Sequence, residues 1–400
     1  MNNVKYNNLR IVFGAVLLHL SIGSIYAWSI VTKPLVAYFG VSLPQVQISF
    51  SLAIFFLGLS AAGLGKYLHR FNAGTTSLFA TLFFVSGLFI ANYAIVIKSI
   101  WLLYLGYGVI AGIGIGIGYI APITTLILCF PNNRGFATGC AIMGFGFASL
   151  IASGIYEYVL AKFGLHYFFM SIGIIYLIVM LFASYLLSPK ITDTMSERYI
   201  NFEFSYIKTI SSAYFILIWL IMLINISCGI GLLSIASPLL QDVSHLSIVE
   251  AGLIVGVLGI ANGGGRITWA GVSDYVKRPV IYVMFFIIQI ICFSLLLMQP
   301  GDNINIIAIF VIITCYGGAF STLPAYLSDI FNIKSVSTIH GMVLTAWGVA
   351  GFLGPYLVAY IKTTYNNYNM ALQLFLFFDV LALIAAIILT IIHKPHRIHN

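Results

Sequence analysis

Long apolar runs broken by short polar connections set the pattern of this 400-residue chain. Twelve segments can be drawn, over 10–32, 45–66, 74–97, 99–129, 136–162, 166–188, 210–238, 247–272, 279–299, 304–328, 336–361 and 369–392. A bilayer core of ~30 Å takes about 20 helical residues, and each run is long enough. The pattern predicts an all-α membrane protein with twelve transmembrane helices. One connection stands apart. Pro189 to Thr209 holds Lys190, Asp193, Glu197, Arg198, Glu203 and Lys208, six charges in 21 residues. It divides the chain into an N-terminal six-helix bundle (1–188), a cytoplasmic linker (189–209) and a C-terminal six-helix bundle with a short tail (210–400).

The halves share features in register. Pro122 precedes Gly139 by 17 residues and Pro324 precedes Gly341 by 17, an offset of 202. The same offset matches Phe145 to Trp347 and Gly146 to Gly348. Lys33-Pro34-Leu35 recurs as Ser237-Pro238-Leu239, offset 204. Pseudo-symmetric six-helix halves are a transporter architecture, with the substrate site between them near the bilayer midplane.

Composition agrees. The chain is 61% hydrophobic and only 7% charged, where a soluble domain carries about 25%. Its net charge of +8 would ordinarily suggest a polyanionic partner. Position gives another reason. Thirteen lysines and arginines fall in loops on the side of the termini and four in the opposite loops. By the positive-inside rule both termini are then cytoplasmic, as in a bacterial inner membrane, and no nucleic acid is needed. The first apolar run is too long for the core of a signal peptide. The five cysteines all lie in apolar segments, so no disulfide framework is implied.

Gly106 to Pro122 reads GYGVIAGIGIGIGYIAP. Its opening fits the dinucleotide-binding pattern G-x-G-x-x-G/A, but that pattern needs a strand before it and an acid about 20 residues on. No Asp or Glu occurs before Glu157. The glycines read instead as a packing face, where a neighbouring helix approaches closely. They also make the helix more bendable. No phosphate-binding G-x-x-x-x-G-K-[ST] motif occurs, which argues against ATP-driven pumping.

Five stretches carry a family resemblance: GSIYAWSIVTKPL (23–35), the glycine-rich run ending GYIAP, FPNNRGFATGCAIMGFG (130–146), NGGGRITWAGVSD (262–274) and GMVLTAWG (341–348). Together they resemble the oxalate:formate antiporter family of the major facilitator superfamily. The resemblance implies a carrier that exchanges or cotransports small carboxylates. It also implies a dianion grip by two cations, on the eighth and eleventh helices. Arg266 matches the first. Trp347, uncharged, stands at the second. The superfamily's loop motif, a gating latch between helix ends, is kept in the second half as Gly271, Asp274 and Arg278, with Arg134 joining it. In the first half His69 stands where an acid is usual.

The residues themselves point the same way. A charge inside a membrane helix costs ~2.5–3.5 kcal/mol at its centre, so Arg266 must face a partner, a wet cavity or the interface. The helix end is ~9 Å away at 1.5 Å per residue, so snorkelling is the alternative. Arginine suits a carboxylate because it stays charged and can bind both oxygens. Tyr26, Trp28, Tyr119, Tyr316 and Trp347 are the expected aromatic lining, with hydroxyl and indole donors for an anion. His19, on one helical face with Gly23 and Tyr26, is a candidate proton relay. Glu157 lies near a helix end and Asp379 deeper, with no partner evident in the sequence. The HKPHRIH tail reads as a membrane-surface anchor rather than a metal site.

The expected function is secondary active transport of a small monocarboxylate such as formate, pyruvate or lactate, by antiport or proton symport and alternating access. Oxalate, another dicarboxylate or another small solute is the alternative in the same fold. A membrane-embedded enzyme or a channel fits less well. Partners are a small carboxylate, the bilayer and, for proton symport, protons. No cofactor or metal is expected, and the chain should act as a monomer.

Overall fold

The computed structural model describes residues 8–68, 71–188, 206–243, 248–331, 335–365 and 367–392. Helix dominates them, with no strand among the described residues. In chain order, α1 is Asn8–Gly23, followed by a 3-10 turn at Ser24–Ala27 and by α2 (Ser29–Phe39). Next come α3 (Leu43–Leu68), α4 (Ala73–Val96) and α5 (Ile100–Leu103). A π-helix over Tyr104–Ala111 leads into α6 (Gly112–Ile120) and α7 (Ile123–Cys129). The long α8 (Arg134–Leu187) is really two limbs, which meet at Gly164 with φ 65° and ψ −179°. Only glycine adopts that backbone without strain. The second half holds α9 (Tyr206–Ile210), α10 (Ala213–Val243), α11 (Ile248–Val272), α12 (Arg278–Met298) and α13 (Asp302–Ile330). It ends with α14 (Val336–Val343), α15 (Thr345–Tyr365) and α16 (Asn369–Ile392).

Helical backbone therefore occupies all twelve apolar segments. Nine helices among the described residues are long and apolar enough to cross a membrane, α8 with its two limbs counting once. Large apolar side chains point outward along them, among them Leu82, Ile178 and Ile384. Such an exterior suits lipid. Most of the expected linker, residues 189–205, lies outside the described residues, as do His69 and the HKPHRIH tail. The linker's last four residues, 206–209, belong to α9 instead.

The glycine-rich run is packed on two faces. A Cβ on Gly114 would lie 2.4 Å from Phe84 N on α4, and one on Gly116 would lie 2.2 Å from Leu57 O on α3. Both are closer than any real Cβ contact, so the glycines let α6 wedge between two neighbours. The π-helix before α6 was not foreshadowed by hydropathy, because its residues are as apolar as those of a regular helix.

Contacts also join the first and second halves of the chain. The first limb of α8 packs along α11, and α3 packs along α14 and α15. At the first contact a Cβ on Gly146 would lie 2.6 Å from the Gly263 Cα. At the second, a Cβ on Gly58 would lie 2.6 Å from the Leu344 carbonyl oxygen. Glycines bring the backbones of the two halves together at these contacts, and a Cβ on Gly146 would also meet Arg266 Cδ at 3.2 Å.

Candidate functional site

Arg266 lies on α11 with no solvent exposure at all. It does not snorkel. Its Nε donates to Asn262 Oδ1 at 3.1 Å, and Nη1 donates to the Ile142 carbonyl at 3.3 Å. Nη2 has no hydrogen-bond partner among the described residues. The guanidinium carbon lies 5.1 Å from the Phe320 ring centre and 5.6 Å from that of Phe145. Both are within the range where a ring attracts a cation. Glycine makes the room: a Cβ on Gly317 would meet Asn262 O at 2.4 Å and Arg266 Cγ at 3.2 Å.

Aromatic rings close around this cation. Trp347 on α15 packs against Phe320 at 4.5 Å, Tyr119 at 5.4 Å and Phe145 at 5.4 Å between ring centres. Tyr119 also meets Phe145 edge-on at 5.5 Å. Tyr26, in the 3-10 turn that interrupts the first helix, stands edge-on to Phe145 at 5.3 Å. Its hydroxyl is hydrogen bonded to that of Tyr316 on α13 at 3.1 Å. The structure thus brings together Arg266, Tyr26, Tyr119, Tyr316 and Trp347. Arg266, Tyr119, Tyr316 and Trp347 are each fully buried, so the centre is closed to solvent.

Several polar atoms at this centre are unpartnered among the described residues: Arg266 Nη2, the Tyr119 hydroxyl and Trp347 Nε1. All three atoms can donate.

Trp28 is placed elsewhere. Its indole N–H donates to Gln47 Oε1 at 3.1 Å and its ring stacks on Tyr107 at 4.3 Å. It serves the packing of the first half of the chain. His19 is fully buried and lies edge-on to Tyr119 at 5.3 Å, within the centre's outer shell. Four residues sit at the centre without having been singled out in the sequence. Asn262 was visible as the residue four before Arg266, on the same helical face. Phe145 was visible as the counterpart of Trp347 at offset 202. Phe320 and the Ile142 carbonyl carry no sequence signal.

The latch residues are joined at the nearby ends of the same helices, after Val272 of α11 and at the start of α8. Asp274 accepts from the Gly135 and Phe136 backbone N–H groups at 2.9 and 2.8 Å. Arg278 Nη2 donates to Asp274 Oδ1 at 2.7 Å, and its Nη1 pairs with Asp329 on α13. Arg134 Nη1 donates to the Ser328 hydroxyl at 3.4 Å. Gly271, on the last turn of α11, is half-buried beside the Phe136 ring. Asp329 is the member that sequence reading missed. Glu157 is exposed. Asp379 is fully buried on α16, beside the Cys228 thiol, with neither oxygen hydrogen bonded among the described residues.

Comparison with known proteins places this arrangement. The family model described as Major Facilitator Superfamily matches residues 11–355. The uncharacterized MFS-type transporter YhjX of Escherichia coli (strain K12) is 24% identical over 354 residues, covering 87% of each chain. The oxalate:formate antiporter of Oxalobacter formigenes is 25% identical over 362 residues, 89% of this chain and 85% of that protein. Among solved structures, the transporter FucP in its outward conformation superposes with TM-score 0.72 at 13% identity, covering 94% of this chain and 98% of FucP. The chain is a multi-pass membrane carrier rather than an enzyme, and it belongs to the Major Facilitator Superfamily.

Proposed function

We propose that this carrier moves small monocarboxylates, of the size of formate, pyruvate or lactate, by alternating access between two six-helix bundles. The observation that carries this reading is that Arg266 Nη2, the Tyr119 hydroxyl and Trp347 Nε1 are all buried and unpartnered among the described residues. Leaving a buried donor without an acceptor costs about 1–3 kcal/mol, and more for a charged group. A carboxylate supplies acceptors for all three and neutralises the guanidinium. The similarity to an oxalate:formate antiporter supports an organic anion as cargo.

Charge favours a monoanion. Arg266 is the one permanent cation at the centre among the described residues, and Trp347 presents an aromatic wall opposite it. A dianion would leave a negative charge unpaired at low dielectric, at a cost of several kcal/mol. The wall suits a methyl or a keto group.

The contacts that keep the centre closed suggest the cycle. The latch fastens α8 to α11 at one end, and by the charge asymmetry of the loops that end is cytoplasmic. Opening requires Asp274 to leave the Gly135 and Phe136 amides. The experiment is uptake of labelled formate, pyruvate, lactate and oxalate into proteoliposomes. Saturable transport of at least one monocarboxylate, in preference to oxalate, is expected. Failure to move any of the four, from reconstituted and correctly folded protein, would overturn the reading.

A further inference from the structure

Two buried imidazoles flank Tyr119. His19, on α1, has its ring centre 5.3 Å from that of Tyr119 at an interplanar angle of 71°. His340, on α14, lies 5.7 Å from the same ring at 57°. Both are fully buried. His19 Nδ1 is hydrogen bonded to the Ala15 carbonyl at 2.9 Å. A carbonyl only accepts, so this nitrogen carries the hydrogen and Nε2 of the neutral ring carries a lone pair. That Nε2 has no partner among the described residues, and neither has either nitrogen of His340. Packing alone does not account for them, because an apolar ring would fill the same space without three unmet polar atoms.

The groups that face the pair are few. Arg266 acts on His19 from α11, and Tyr119 stands between the rings from α6. The two imidazoles also act on each other. From α8, His19 meets the backbone at Gly144, which carries no charge. No carboxylate among the described residues joins them. Asp379 lies beside Cys228, Glu157 is exposed, and Asp274 and Asp329 are held in the latch.

We propose that His19 and His340 form a proton-binding site that couples this carrier to proton movement, an inference that rests on the carboxylate reading above. The coupling is Coulombic. With the centre empty, a proton on either ring adds a second positive charge near the open guanidinium. A carboxylate on Arg266 cancels that charge, so anion and proton each favour the binding of the other, and the effect is reciprocal. The proton is taken up on a ring lone pair, at His19 Nε2 or at the basic nitrogen of His340. It is given back to water from the same atom when the centre opens on the far side. The mutual repulsion of the two rings limits the pair to one proton. One carboxylate then moves with one proton, and no net charge crosses. His19 comes from the first half of the chain and His340 from the second, so the movement that opens the centre also separates the pair.

The test uses full-length protein in proteoliposomes with labelled pyruvate. An inward proton gradient of one pH unit should accumulate pyruvate about tenfold above equilibrium, since each unit supplies 1.36 kcal/mol. A pH-sensitive dye in the lumen should report acidification that starts with pyruvate addition and is absent from protein-free vesicles. In His19→Gln/His340→Gln, accumulation should fall below about twofold, while exchange at equal pH stays within about fivefold of the unmodified protein. The single variants His19→Asn and His340→Asn should lose accumulation in part and keep exchange, which separates lost coupling from misfolding. Accumulation by the double variant equal to that of the unmodified protein would overturn the proposal. So would pyruvate exchange by the unmodified protein with neither accumulation nor acidification, a result that leaves the carboxylate reading standing. Absence of both exchange and accumulation for every carboxylate would overturn both.

Discussion

The Asp274 carboxylate accepts a hydrogen bond from the Gly135 backbone N–H at 2.9 Å, across 139 residues of sequence. Its second oxygen accepts from the Phe136 N–H at 2.8 Å. An acid at the end of α11 thus caps the start of α8, where unpaired amides and the helix dipole both favour negative charge. Arg278 holds the acid in place and ties it to Asp329.

Asp274→Asn should therefore loosen this end. Its amide nitrogen would face backbone donors, and Arg278 would lose a charged partner. Hydrogen bonds to charged groups are worth ~1.5–3 kcal/mol each. A shift of the conformational equilibrium by ten- to hundredfold is expected, read as faster thiol labelling of a cysteine introduced at Ser328. His69→Asn, in the half that lacks the acid, should change transport less than Asp274→Asn. Equal losses at matched expression would show that the second half does not carry the latch alone.

Arg266→Gln should reduce carboxylate transport by more than 100-fold without lowering thermal stability. The glutamine removes a buried charge whose Nη2 is unsatisfied in the closed centre. Arg266→Lys should keep a few per cent of the activity, since a single ammonium cannot replace the planar fork. Initial rates of labelled pyruvate uptake, paired with a thermal melt, check both parts. Normal uptake by Arg266→Gln would remove the centre of the proposed function.

Bilayer physics made most of the fold legible. A spanning helix must be long and apolar, so hydropathy alone located the helical segments, nine of which among the described residues are long and apolar enough to cross a membrane. It also exposed Arg266, because a charge inside such a run is costly. The centre was legible only where chemistry differs from the apolar background. Tyr26, Tyr119, Tyr316 and Trp347 stood out. Phe320 did not, being one of 31 phenylalanines with no positional mark, and Phe145 was marked only by its register with Trp347. Trp28 shows the opposite failure. Its type and position suited the site, but Gln47 on α3 takes its indole hydrogen, and no spacing rule reveals a partner on another helix. The pairing of Arg278 with Asp329 was hidden in the same way.

The glycine run separates close approach from mere flexibility. Gly116→Ala would place a Cβ 2.2 Å from the Leu57 carbonyl oxygen, which is backbone and cannot yield without moving α3. Overpacking of this kind costs about 1–3 kcal/mol. Gly118→Ala would meet nothing nearer than 3.3 Å, against the Ala80 Cβ and the flexible Ile22 side chain. There the gain in helix propensity, about 1 kcal/mol, offsets the contact. Thermal melts in detergent should show a clear drop for the first variant and little change for the second. Equal drops would mean that the run matters for bending rather than for packing.

Trp347 sets the expected selectivity. It is fully buried, with an indole N–H that finds no acceptor among the described residues and a ring packed on Phe320. It therefore offers one neutral donor where a second cation would be needed for a dianion. In Trp347→Lys the added charge should pair with a second carboxylate and repel Arg266 once no dianion is bound. Preference should shift toward oxalate by about tenfold, as expected for a gain of ~1.4 kcal/mol. The substitution also removes a large ring, so Trp347→Met serves as the control for lost volume. Competition of unlabelled oxalate against labelled pyruvate at pH 7.5 reads the ratio in all three proteins. An equal shift in Trp347→Met would assign the effect to space, not charge. Strong competition by oxalate in the unmodified protein would show that a single guanidinium suffices for a dianion, and the charge argument for monocarboxylates would fail.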